Sequence, residues 1–401
     1  MPNNGTGVLN FLRKLVFRSL TMKCLMISFI AALSLISISA VAQDVSPNEI
    51  VLGQSCALSG PAQALGQGMR AGMIAYFSKV NEAGGIHGRT IHLISKDDGY
   101  EPNRAIDNTL ALIKKERVFL LIGEVGTPTS KAVVPIAEKE QTPFFGPFTG
   151  AEFLRNPYKK YVINVRGSYY QEMEKLAQYL VDTKKLTKIA CFYQNDGYGQ
   201  AGLSGIKIAL EKRNLTLVAE GTYERNTVAV KGGLLKIRSS RPDAVVMVGA
   251  YKPCAEFIKL AKRMGLKDTV YCNISFVGTE ALRKELGDAG EGCIISQVVK
   301  YPWDESVPLV REYSEAMKKY QPGTPTGFVS LEGYMVAKLF CEVARKTGDD
   351  LTRENFIKTV GRTKTFDLGG VVLNFGPEDH QGMNDVFLTV IRGGEIQPLG
   401  N

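Results

Sequence analysis

Val51-Leu52-Gly53-Gln54-Ser55-Cys56-Ala57-Leu58-Ser59-Gly60-Pro61 opens the stretch that decides the fold, which runs on to Arg104. An apolar strand at Val51 and Leu52 ends in Ala57-Leu58-Ser59-Gly60-Pro61. Met69, Met73, Ile74, Phe77 and Val80 then recur at helical spacing, and Asn81-Glu82-Ala83-Gly84-Gly85 supplies glycines for a left-handed C-cap. A second strand over 90–95 carries Ile91 and Leu93 on one face. It runs into Lys96-Asp97-Asp98-Gly99-Tyr100 and a helix begun by Pro102. The unit is strand–helix–strand. Its loops after Leu58 and Asp98 lie at the carboxyl ends of strands, where open parallel sheets bind ligands.

The spelling is specific as well. Ser59-Gly60-Pro61, Gly66, Gly72, the run Asn81, Gly84-Gly85-Ile86 and Gly88, then Asp97-Asp98 with Pro102, resemble the periplasmic binding proteins of branched-chain amino acid transporters. The resemblance spans many positions over this unit and continues to the C-terminus. It implies the type I periplasmic binding fold, an α/β architecture of two doubly wound parallel-sheet lobes joined by a three-strand hinge.

The remaining chain alternates short apolar strands with amphipathic helices, the pattern of parallel sheets covered on both faces. Helices at 102–116 and 130–140 alternate with strands at 118–122 and 143–145, and 161–165 leads out of the first lobe. The series restarts with helices at 170–183, 201–213, 228–239 and 255–264, and strands at 188–193, 217–221, 244–248 and 269–275. A strand at 293–298, helices at 307–320, 328–346 and 353–361, and strands at 371–375 and 386–392 complete it. The resemblance implies three crossings between lobes, near 166–168, 297–301 and 375–381. Lobe 1 is then 46–166 plus 298–375, and lobe 2 is 167–297 plus 376–401.

Residues 1–42 read as a secretory leader. Arg13, Lys14, Arg18 and Lys23 precede an apolar run from Leu25 to Val41, and Ala40-Val41-Ala42 offers small residues before Gln43. At about 17 residues with four serines, the run is short for a membrane anchor. Met22-Lys23 would itself begin a shorter conventional leader. No cysteine follows the apolar run directly, which argues against a lipoprotein. Removing the four leader charges from the formal +9 leaves +5, scattered without a long basic run, so nucleic acid is not an expected partner. A hydrophobic content of 44% fits a globular, soluble chain, and its length suits two lobes rather than one core.

Six cysteines follow the leader: Cys56, Cys191, Cys254, Cys272, Cys293 and Cys341. Most lie within apolar strands or helices without C-x-x-C spacing and read as buried thiols. Cys272 and Cys293 are placed to pair if their strands are neighbours. His87, His92 and His380 are too scattered for a zinc site, and no metal or cofactor is expected.

Candidate ligand residues fall into four groups. In Gly123-Glu124-Val125-Gly126-Thr127-Pro128-Thr129-Ser130 a strand gives way to a helix whose free N–H groups and dipole suit a carboxylate. The alternative is ordinary capping by Thr127 or Thr129. The resemblance places a carboxylate-binding hydroxyl at Thr127. In Gly146-Pro147-Phe148-Thr149-Gly150 it implies backbone groups and a threonine holding the ligand. Here Thr149 stands one position before the family's threonine, which is Gly150, and Phe148 replaces a small residue. Tyr198 and Tyr251 match tyrosines that close over the ligand from the second lobe. Ser275 stands where the family carries the acid that neutralises the ligand's amine, leaving Glu172 or Glu124 as substitutes. Leu65 replaces an aromatic against the ligand side chain.

With these residues the resemblance implies a solute-binding protein that captures a small carboxylate or amino acid and presents it, as a monomer, to the permease of an ABC importer in the inner membrane. A sensory module feeding a receptor is the alternative. An enzyme is disfavoured: there is no Gly-x-Ser-x-Gly elbow and no Walker loop, and the Gly287-to-Gly292 cluster precedes a strand rather than following one. The exported protein is expected to begin at Gln43. N-terminal sequencing of periplasmic material checks this, and a different start or recovery only in membranes would contradict it.

Overall fold

The computed structural model describes residues 45–400, so the expected leader lies outside the described residues. β1 (Glu49–Cys56), α1 (Gln63–Glu82) and β2 (Thr90–Asp97) form the anticipated unit, with β1 and β2 parallel from Glu49↔Thr90 to Cys56↔Asp97. The glycine stop operates as read: Gly84 has φ 96°, and the Gly85 N–H bonds the Val80 carbonyl at 2.9 Å. Pro102 begins α2 (Pro102–Lys114). β3 (Leu120–Ile122), α3 (Thr127–Lys139), β4 (Phe144–Phe145) and β5 (Val162–Ile163) follow. The five strands make one parallel sheet in the order β2-β1-β3-β4-β5.

The second series begins with α4 (Tyr169–Ala177), β6 (Ile189–Gln194), α5 (Gly197–Glu211), β7 (Ala219–Tyr223) and α6 (Lys231–Ser239). It continues through β8 (Ala244–Val248), α7 (Tyr251–Arg263), β9 (Val270–Asn273), α8 (Thr279–Leu286) and β10 (Ile294–Gln297). β6 and β8 are buried at every position, as strands covered on both faces must be. Their sheet runs β7-β6-β8-β9-β10 with all four pairings parallel, the same order as the first sheet. α9 (Pro308–Tyr320), α10 (Phe328–Thr347) and α11 (Arg353–Thr363) then return to the first lobe. There α10 packs on α1 through Tyr76 against Tyr334 (ring centres 5.0 Å) and Phe77 against Phe340 (6.1 Å). A hairpin of β11 (Thr365–Asp367) and β12 (Val372–Asn374) precedes β13 (Phe387–Arg392) and β14 (Glu395–Pro398), which extend the second sheet beside β10.

Three local readings need correction. The second sheet is mixed, because β13 lies antiparallel to β10 and β14 antiparallel to β13. α8, β11 and β14 were not anticipated; each is short, and the glycines around it read as loop. α3, α5 and α7 begin at Thr127, Gly197 and Tyr251 rather than at 130, 201 and 255. Glycine-rich spelling looked like loop there, yet Asp196 caps α5 by accepting the Tyr198 N–H at 3.0 Å. The candidate residues Thr127, Tyr198 and Tyr251 thus stand in first helical turns.

The cysteines follow from the sheet. β9 and β10 are neighbours, but Cys272 pairs in register with Ile294, so Cys293 is one residue out of step. Side chains alternate along a strand, and the two sulfurs point to opposite faces. All six described cysteines are free and buried, and burial pushes the Cys293 thiol up to about 12. Ellman's reagent is expected to find no fast-reacting thiol in the folded exported protein and all six after denaturation. A reactive native thiol, or fewer than six on unfolding, would contradict this placement.

Candidate functional site

In each sheet the order reverses beside the first strand of its series, between β1 and β3 and between β6 and β8. Loops leaving those strands diverge and open a crevice. The loops after β1, β3 and β4 meet those after β6, β8 and β9, as Tyr100 and Phe148 do Phe276; the candidate residues follow these strands, except Glu172, which lies in α4.

α3 begins after Gly126, whose φ of 114° suits glycine and where a Cβ would meet the Tyr100 ring. No side chain caps this helix. Thr129 is turned inward, donating to the carbonyls of Val125 (2.7 Å) and Gly126 (3.0 Å), so its hydroxyl is spent on the backbone. Thr127 points the other way. Its hydroxyl lies 2.7 Å from that of Thr149 and 3.4 Å from the phenol of Tyr169, and Thr149 donates to Tyr169 at 3.1 Å. Three buried hydroxyls therefore converge at a helix N-terminus, one of them carried by the first residue of α4. Gly150 is the seam between the two: its carbonyl accepts the Tyr169 N–H at 2.7 Å, and a Cβ would lie 2.6 Å from the Tyr169 ring.

Aromatic faces enclose this cluster. Phe148 packs on Phe276 (5.4 Å), Phe276 on Tyr198 (4.5 Å), and Tyr198 on Tyr169 (5.5 Å), with Tyr100 against Phe276 at 6.0 Å. The Tyr198 hydroxyl reaches the Gly249 carbonyl at 3.5 Å. Tyr251 lies elsewhere. Together with Leu65, Gly278, Arg70 and Lys252 it lines a cavity of about 580 Å³ at the margin of the cleft.

The fourth group changes character. Ser275 is bonded to the guanidinium of Arg166, and its hydroxyl donates to Glu172 at 3.0 Å. Glu172 also accepts the Ser275 N–H (2.7 Å) and the Ser296 hydroxyl (2.6 Å), and lies 3.9 Å from Arg166. Its carboxylate is thus already bonded by two serines with a guanidinium beside it. Glu124 is buried, and among the described residues no side chain hydrogen-bonds either of its oxygens. Burial, reinforced by Asp98, drives its pKa well up and so favours the neutral carboxyl over a counter-charge.

Sequence reasoning missed Arg166, Glu332, Tyr169 and Phe276. A charged residue in an apolar run was the available signal: Arg166 follows Tyr161-Val162-Ile163-Asn164-Val165, and Glu332 interrupts Phe328-Val329-Ser330-Leu331. Both are almost fully buried, with Arg166 Nε 3.5 Å from Glu332.

A family model described as periplasmic binding protein matches residues 49–395. The chain belongs to that family. Leu/Ile/Val-binding protein homolog 7 of Brucella abortus (strain 2308) is 25% identical over 330 residues, covering 79% of this chain and 81% of its own. Among solved structures, a possible leucine/isoleucine/valine-binding protein from Rhodopirellula baltica SH 1 superposes with a TM-score of 0.84 at 37% identity, covering 90% of this chain and 98% of its own. A fatty acid ABC transporter substrate-binding protein from Thermomonospora curvata shares the fold, with a TM-score of 0.81 at 23% identity over 89% and 92% of the two chains.

In this periplasmic binding protein polar pairs at the flanks add to the aromatic packing of Phe148 and Tyr100 on Phe276 across the cleft. Glu280, at the start of α8, accepts the Phe328 N–H at the start of α10 (2.7 Å). On the other flank Arg225 pairs with Glu101 at 2.9 Å, and Asn226 donates to Glu101 at 2.6 Å. Burial lifts Glu280 from its ordinary 4.5 to about 7, and lifts Glu332 likewise against the pull of Arg166. Burial also lifts Asp98 to about 6, opposed by bonds from the Tyr100 N–H and Ser55.

A carboxyl raised in this way binds its proton more tightly when folded. Its stabilisation is complete below the unfolded value and is lost as pH rises through the folded one. His380, lowered by burial, opposes this below 6.5. The melting temperature of ligand-free protein is therefore expected to fall between pH 5 and pH 8, with a shallower slope in Glu332→Gln. Scanning calorimetry checks both, and a rising melting temperature over that range would contradict the assignment.

Proposed function

We propose that this protein is an extracytoplasmic solute-binding protein that closes on a small carboxylate or amino acid and delivers it to the permease of an ABC importer. In this reading the leader (1–42) is removed and the protein acts in the periplasm as a monomer. One lobe comprises 46–166 with 298–375, and the other 167–297 with 376–401. The observation that carries the reading is the meeting of Thr127, Thr149 and Tyr169 hydroxyls at the start of α3. Those donors belong to different segments of the cleft wall and surround a position where helix N–H groups favour an anion. Tyr198 and Phe276 supply the opposing apolar face from the second lobe. The ligands for which relatives are named agree in class: leucine, isoleucine and valine for some, a fatty acid for another. All are carboxylates.

A jaw of this kind has thin connections and ligand groups on both sides, so ligand stabilises the closed form. A thermal-shift screen of small carboxylates and amino acids identifies binders, since binding to the folded state raises its melting point. With a binder in hand, small-angle scattering is expected to show a smaller radius of gyration at saturation. Thr127→Val removes one charge-assisted bond at nearly constant shape and is expected to cost about 1.5–3 kcal/mol of affinity by calorimetry. Undiminished affinity in that variant would remove the carboxylate from this helix end.

A further inference from the structure

Arg166 is the buried group that the cleft leaves incompletely used. It lies between β5 and α4 and is 1% exposed. Its Nη2 donates to Ser275, its Nε is 3.5 Å from Glu332, and its guanidinium carbon lies 4.5 Å from the centre of the Phe148 ring. Among the described residues Nη1 has no hydrogen-bond partner. Native structures rarely leave such donors unpaired, and a guanidinium offers them in a fork suited to carboxylate.

The surroundings say what that fork meets. Phe148, beneath the guanidinium, packs on Phe276; Phe276 packs on Tyr198, and Tyr198 on Tyr169. Tyr169 then reaches Thr149 and Thr127 through its phenol. A chain of aromatic faces thus runs from the Phe148 ring under Arg166 round to the hydroxyl cluster. Glu172, the carboxylate an ammonium would need, is occupied by Ser275 and Ser296 with Arg166 beside it.

We infer that Arg166 is the second anchor of the ligand's acidic group, and that the cleft takes flat organic acids without an ammonium group in preference to α-amino acids. This rests on the reading that ligand binds between the hydroxyl cluster and the second lobe. An acid gains the Nη1 donors and lies flat against the rings. An ammonium meets a like charge whose two glutamates are already engaged.

Calorimetry with matched pairs tests it: phenylpyruvate against phenylalanine, and 4-methyl-2-oxopentanoate against leucine, using the exported full chain. Each oxo acid is expected to bind wild type at least tenfold more tightly than its amino acid. In Arg166→Gln combined with Glu332→Gln, which removes cation and partner together, that ratio is expected to fall to one or below. Arg166→Lys keeps a cation between the glutamates but loses the fork, and is expected to weaken the acids at least tenfold. It carries the test if the double variant fails to fold by circular dichroism. A purely structural Arg166 would shift the melting point and leave the ratio unchanged. An unchanged ratio in the folded variants overturns the inference, as does wild type preferring the amino acids, with Glu124→Gln then showing whether Glu124 holds the ammonium. If Thr127→Val still weakens binding in those cases, the cleft reading stands without Arg166. If no member of either pair binds wild type, the inference fails; if Thr127→Val binds every ligand as wild type does, the underlying site fails with it.

Discussion

A guanidinium taken out of water between two lobes sets the terms for much of this molecule. Arg166 is held against Glu172 and Glu332, which are themselves buried, and breaking a buried pair of this kind by removing one partner costs about 3–5 kcal/mol. The constraint is also topological. Glu332 belongs to α10, packed on the five-stranded lobe, while Glu172 belongs to α4, packed beside the seven-stranded sheet. The Arg166 carbonyl accepts from Arg155 and from Gln381, each at 2.9 Å, so the first and third passages of the chain between the sheets are tied at this residue. The bridge Asn164↔Gln381 lies two residues away. Charge compensation and chain crossing coincide.

Around that point the two halves repeat one solution. Five parallel strands in the same order place two switch points opposite each other, and each presents helix starts to the cleft: α3 on one side, α5 and α7 on the other. Helix starts bring unpaired N–H groups and short polar side chains, which is why a cleft built from switch points suits anions. At its flanks the contacts use one backbone N–H or a partly exposed ion pair, as at Glu280 with Phe328 or Arg225 with Glu101. Exposed pairs of that kind are each worth about 0–1 kcal/mol. The packing of Phe276 on Phe148 and Tyr100 inside the cleft therefore outweighs them.

Inside the cleft the charges are already matched within the protein. Glu172 accepts from Ser275 and Ser296, and the Arg166 guanidinium lies beside it and bonds Ser275. The aromatic faces of Phe148, Phe276 and Tyr198 give the opposite wall a flat, apolar character. Leu65 and Tyr251, which would frame a ligand side chain, line a separate space at the margin of the cleft.

By itself, the sequence determined the α/β class, the strand–helix alternation, most element positions and the family, because these rest on local periodicity, caps and glycines spread over many residues. It also singled out Thr127, Thr149 and Tyr198, which follow parallel strands at the end of the sheet where such loops open. Tertiary structure alone decided how those groups are employed. That Thr129 turns to its own backbone, that Cys272 and Cys293 face opposite sides of one sheet, and that Glu172 is already engaged depend on register and on partners as far as 124 residues away, as Ser296 is from Glu172. Arg166 and Glu332 illustrate the limit best. Each was visible as a charge in an apolar run, but a buried charge takes its meaning from its counter-charge, and only the folding of a distant helix onto the crossing segment brings that counter-charge within reach.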